Sequence, residues 1–175
     1  MASARTHSPG DSAFEPYAAA PSAGRRPGHR RELVAQSARY LGAVSILLVG
    51  AVHAQQYYDA YFSFVPTIGT LFLLSFIGAG ILGTVLFLPV RLLGRRIGDL
   101  ILSVAALGSI GIAVGTLVSL LISEYRPLFG FMESGYRLAV VLTLLFDGLT
   151  ILFLAVFLGV VVPRLVRSFR ERSYR

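Results

Sequence analysis

Long apolar runs interrupted by short polar breaks set the pattern of this chain. A helix needs about 20 mostly apolar residues to cross a hydrocarbon layer. Four stretches meet that length, at about Tyr40–Tyr57, Thr67–Leu88, Ile97–Ile122 and Leu138–Val162. Membrane-spanning strands would alternate polar and apolar positions, and the run LTILFLAVFLGVVV ending at Val162 does not. The pattern predicts an all-α membrane protein. Short connections between the spans make an up-down bundle of four transmembrane helices the simplest topology.

Composition agrees. Of 175 residues, 55% are hydrophobic and 14% charged, against about 25% charged in soluble domains. Cysteine is absent, which excludes disulfides, thiolate metal ligands and cysteine nucleophiles. The net charge of +7 and a pI of about 10.4 could point to nucleic acid. The arginines are in the wrong places for that. All of the net charge lies in residues 1–40 and 163–175, and the body between them is neutral. A nucleic-acid groove would put basic residues on a folded surface, so no nucleic-acid partner is expected.

The same arginines predict orientation, because short loops rich in arginine stay cytoplasmic. Arg25, Arg26, Arg30, Arg31 and Arg39 precede the first span, Arg91, Arg95 and Arg96 follow the second, and Arg164, Arg167 and Arg170 follow the fourth. The connection 58–66 has none, and in 123–137 Arg126 and Arg137 are offset by Glu124 and Glu133. Both termini are therefore expected in the cytoplasm of a bacterium, with the protein in its inner membrane. Tyr57, Tyr58, Tyr61, Tyr125 and Tyr136 gather at the opposite ends of the spans, as an interfacial aromatic belt would.

Residues 1–36 read as a disordered basic tail, 37–163 as the transmembrane domain and 164–175 as a second basic tail. Arg25, Arg26, Arg30, Arg31, Arg95, Arg96, Arg164, Arg167 and Arg170 are candidates for contact with an anionic inner leaflet. Helices in lipid associate where small residues let them approach. Ser75, Ala79 and Gly83 form one such ridge, and Gly111, Gly115 and Ser119 another. The second and third helices are expected to meet along these two faces.

Candidate chemistry is sparse. Asp147 stands inside the fourth span, where an acid costs about 2.5–3.5 kcal/mol on insertion scales, so it should face the bundle interior. Thr143 and Thr150 share its helical face. His53, with Gln56 a turn further on and Tyr57 beside it, lies near the end of the first span. Together these residues form a candidate polar, protonatable cluster, either a functional centre or an interhelical hydrogen-bonded pair. One histidine in the body is too few for a zinc or haem site, so neither metal nor cofactor is expected. No catalytic motif is present, and an enzyme is not expected.

His53, the segment YFSFVPTIGTLFLLSF (61–76) and the segment LFGFMESGYR (128–137) resemble small four-span integral membrane proteins of actinobacteria. In that pattern a histidine near the end of the first span precedes Y…I/V-P-T-I-G-x-L-F-L-L-N, with L-F-G-F-x-E further on. Ser75 stands here in place of the asparagine. The likeness covers residues 45–160 and implies the topology without implying an activity. The expected role is an accessory, assembly or scaffold component of a membrane complex, with a membrane-protein partner or further copies of itself. The alternative is a small transporter or channel moving protons or a small solute past His53 and Asp147.

Overall fold

The computed structural model describes residues 27–59, 66–125 and 138–173. They form four α-helices, α1 (Pro27–Tyr58), α2 (Pro66–Phe87), α3 (Arg95–Tyr125) and α4 (Leu138–Ser173), with a 3-10 turn at Val90–Leu93 between α2 and α3. No strand occurs among the described residues, and each helix is long and apolar enough to cross a membrane. The segments 60–65 and 126–137, with Tyr61, Tyr136 and the LFGF motif, lie outside the described residues, as do Arg25 and Arg26.

Pro27 and Pro66 open α1 and α2, where the missing N–H leaves no intrahelical bond unmade. Each helix packs against its neighbours in sequence, and α1 also packs against α4, while α1 and α3 barely touch. The result is a closed up-down-up-down square. The end that carries the 3-10 turn and the helix ends nearest the two termini is called proximal here, and the opposite end distal.

Small residues set the helix spacing, but not in the predicted pairing. Ala79 and Gly83 of α2 face α1: a Cβ on Gly50 would sit 3.1 Å from the Ala79 Cβ, and one on Gly83 would sit 2.7 Å from Leu47. Gly42 of α1 accommodates Leu154 of α4, and a Cβ there would overlap that side chain. The α2–α3 contact runs instead through Gly78 against Ile112 and Gly108 against Leu82. Gly111 and Gly115 have nothing within 4 Å of where a Cβ would stand. The two ridges therefore do not pack on each other; Ala79 and Gly83 face α1, while Ser75 and the α3 ridge border a common open space.

The core fills the proximal half and the centre. Ile46, Val49, Leu86, Leu102, Leu154, Phe157 and Val161 have no exposed surface. Around them Leu74, Ile81, Val104, Leu107, Leu145 and Leu152 are at least half exposed and would face lipid.

Two boundaries differ from expectation. α1 begins at Pro27, although residues 27–36 read as tail, and α4 continues through Pro163 to Ser173 rather than ending at Val162. At 1.5 Å per residue the 32 residues of α1 span about 48 Å, well beyond the roughly 30 Å hydrocarbon layer. The extra turns are held by packing and charge. Ala35 and Ala38 are buried, and Glu32 accepts from Arg91 Nη1 through Oε1 and from Arg164 Nη1 through Oε2, each at 2.5 Å. Arg91 Nε also donates to Asp99 Oδ1 at 2.9 Å. Burial disfavours the Arg91 charge, but Glu32 and Asp99 beside it outweigh that and hold its pKa above the ordinary value. Arg164 is thus engaged within the chain, whereas Arg30, Arg31, Arg95, Arg96, Arg167 and Arg170 are exposed.

The turn itself depends on two glycines. Gly94 has φ of 106°, a region that strains any residue with a Cβ. A Cβ on Gly98 would lie 2.7 Å from the Arg91 Cα, so only glycine lets α3 start this close to the turn.

Candidate functional site

Two polar features of the membrane segments, a cavity lined by His53 and the buried Asp147, adjoin at Thr116. Toward the distal end the four helices line a partly open cavity of about 340 Å³. α1 contributes His53 and Gln56, and α2 contributes Ile68, Phe72 and Ser75. The α3 wall is Gly111, Gly115, Thr116 and Ser119, and α4 closes the cavity with Val140 and Thr143.

His53 is only 4% exposed. Its Nδ1 lies 2.8 Å from the Val49 carbonyl one turn back on α1. A carbonyl can only accept, so Nδ1 carries the hydrogen, and Nε2 of the neutral ring is left as an acceptor. The ring meets Phe72 edge to face, with centroids 5.4 Å apart. Tyr57 turns to Tyr58 instead, ring against ring at 4.9 Å.

Asp147 lies behind the cavity wall and is fully buried. Thr116 Oγ1 of α3 lies 2.6 Å from its Oδ2, within hydrogen-bond distance, while Oδ1 is buried with no partner. Thr116 has one hydroxyl hydrogen, yet it also stands 2.9 Å from the Ala113 carbonyl and 3.1 Å from that of Ile112. A proton on Asp147 closes the count: Asp147 donates to Thr116, and Thr116 donates to its own helix. The same proton removes a buried charge that no cation offsets.

The expected cluster is therefore divided. His53, Gln56 and Thr143 line one cavity; Asp147 is reached only through Thr116; Thr150 bonds back to the Phe146 carbonyl at 2.8 Å on its own helix. No hydrogen bond joins His53 to Asp147, whose Oδ2 pairs with Thr116 and whose Oδ1 has no partner. Their depths already differ, since five residues separate His53 from the end of α1 and nine separate Asp147 from the start of α4, or about 8 and 14 Å. Their side chains also turn to different neighbours, His53 to α2 and Asp147 to α3. Thr116 escaped the sequence reading, although it directly follows Gly115 on the small-residue stripe of α3. A polar residue there is a usable signal only once α3 is known to lie beside α4.

A second buried polar group sits near the proximal end. Arg39 is 5% exposed, its guanidinium lies 4.4 Å from the Tyr40 ring centre, and its Nε has no partner. Among the described residues, no three His, Asp or Glu side chains come together as a metal site. Comparison of the chain with protein-family models, curated proteins and solved structures gives no match.

Proposed function

We propose that this chain is a non-enzymatic, multi-pass component of a bacterial cytoplasmic membrane, acting as an accessory, assembly or scaffold subunit of a larger membrane complex. Both termini and the 3-10 turn lie on the cytoplasmic side in this reading, which rests on the placement of arginine. The exposed Arg30, Arg31, Arg95, Arg96, Arg167 and Arg170 would each add about 1 kcal/mol of attraction to an anionic leaflet. The likeness to small four-span actinobacterial proteins belongs to the same proposal.

The observation that carries it is the closure of Asp147 onto Thr116. An acid on a transport path would face water or a mobile partner. Here it is sealed, and below it Leu102, Ala106, Leu154 and Phe157 are fully packed. Transport past His53 and Asp147 has less support, because His53 packs on Phe72 of α2 whereas Asp147 bonds to Thr116 of α3. The open face of α3, with Gly111, Gly115 and Ser119 exposed, is the kind of surface over which a further helix approaches closely. The test is affinity purification of the detergent-extracted protein followed by mass spectrometry. Recovery of a stoichiometric membrane-protein partner is expected; recovery of the chain alone, as monomer or homo-oligomer, would sink the reading.

A further inference from the structure

The distal cavity is lined by a histidine with one ring nitrogen that takes no partner among the described residues. His53 is 4% exposed, its Nδ1–H is committed to Val49, and its Nε2 takes no partner among the described residues. His53 is one of the residues that line the cavity, so its ring borders the space a ligand would fill. We propose that this cavity binds a neutral amphipathic molecule of one or two rings that carries a hydroxyl or N–H group, with His53 Nε2 as the acceptor.

Size, polarity and access all bear on the class of ligand. An apolar cavity of about 150 Å³ takes benzene, and this one is about 340 Å³, room for a second ring or a short substituent. Ile68, Phe72 and Val140 supply apolar and aromatic walls. Among the described residues no charged side chain lines the space, and Asp147 behind it is bonded to Thr116, so the described walls offer an ion no opposite charge. A free donor meets a better match, because an acceptor at the edge of a largely apolar cavity gains by the bond it makes.

Access is through the seam between α2 and α3. These helices converge at Gly78–Ile112 and Leu82–Gly108. Distal to that contact, Ser75 on one side and Gly115 and Ser119 on the other become cavity walls, and Gly111 and Gly115 carry no side chain to block entry. A membrane-dissolved compound reaches His53 by that route.

The probe is 2-naphthol, a fluorescent two-ring compound with one hydroxyl, titrated into the full-length protein in nanodiscs against empty nanodiscs. The comparator is 2-methoxynaphthalene, which keeps the rings and lacks the donor. Wild-type protein is expected to bind 2-naphthol saturably and about three- to ten-fold more tightly than the comparator, the range of one net hydrogen bond. His53→Phe should bring the ratio to one. Gly115→Leu should abolish saturable binding of both compounds with the melting temperature retained, because a Cβ at Gly115 meets nothing within 4 Å. Absence of saturable 2-naphthol binding overturns the proposal. So does equal affinity for the two probes, which would mark an apolar void filled by lipid chains, and so does a His53→Phe protein that keeps the wild-type ratio. The two-probe comparison needs no variant, and its outcome does not depend on whether a protein partner is recovered.

Discussion

Thr116 is the single hydroxyl on which the buried acid depends. Replacing it with valine leaves both oxygens of Asp147 without a partner in the bundle interior. The expected loss is about 1–3 kcal/mol, the usual cost of an orphaned buried polar group. Asp147→Asn keeps a donor toward Thr116 and resembles the protonated acid, so its stability should stay within about 1 kcal/mol of wild type. Thermal unfolding of the two variants in detergent separates these outcomes. A Thr116→Val protein as stable as Asp147→Asn would show that the contact contributes nothing. Sequence alone located both His53 and Asp147 and the inward orientation of the acid, because the cost of a carboxyl in lipid is local knowledge. Which partner each residue meets is not local. Thr116 is 31 positions from Asp147, and only the placement of α3 against α4 joins them.

At the scale of the helix, glycines with similar sequence surroundings have opposite consequences. Gly42→Leu drives a side chain into Leu154, which has no exposed surface and no room to move. Overpacking of this kind costs about 1–3 kcal/mol and should separate α1 from α4. Gly111→Ala meets nothing, so its stability should be unchanged or raised by up to about 1 kcal/mol through helix propensity. Melting temperatures of the two proteins in one detergent check the contrast. The four helices were legible from the chain because the bilayer demands a minimum apolar length. Pairing of the ridges was not, since every span carries small residues and spacing does not record which neighbour they meet. The full lengths of α1 and α4 were not legible for a related reason: residues 27–36 show no apolar periodicity, and Glu32 among them is held by arginines 59 and 132 positions away.

For the whole molecule, the ion cluster at the proximal end and the arginine bias make separate predictions. Glu32→Gln removes the charge shared by Arg91 and Arg164 at once, while Arg91 keeps Asp99. The pairs are about one-third exposed, so the expected loss is modest, about 1–2 kcal/mol. Because salt screens such pairs, the difference in melting temperature between wild type and Glu32→Gln should narrow as ionic strength rises; a difference independent of salt would assign the effect to packing. Orientation is checked by single cysteines introduced into this cysteine-free chain. A membrane-impermeant thiol reagent added outside intact cells should modify Ala60→Cys and spare Leu93→Cys, and the reverse pattern would invert the proposed topology.

The clasp at Glu32 also bears on the order in which the bundle is made. One oxygen of that carboxylate waits for Arg91 and the other for Arg164, so a chain inserted from its N-terminus can seat the first hairpin early but cannot fasten the first helix to the last until synthesis is nearly complete. A nascent chain halted before residue 164 would hold its opening helix by one arm alone. Early release, more than any later damage, is the event to which such an arrangement is most exposed.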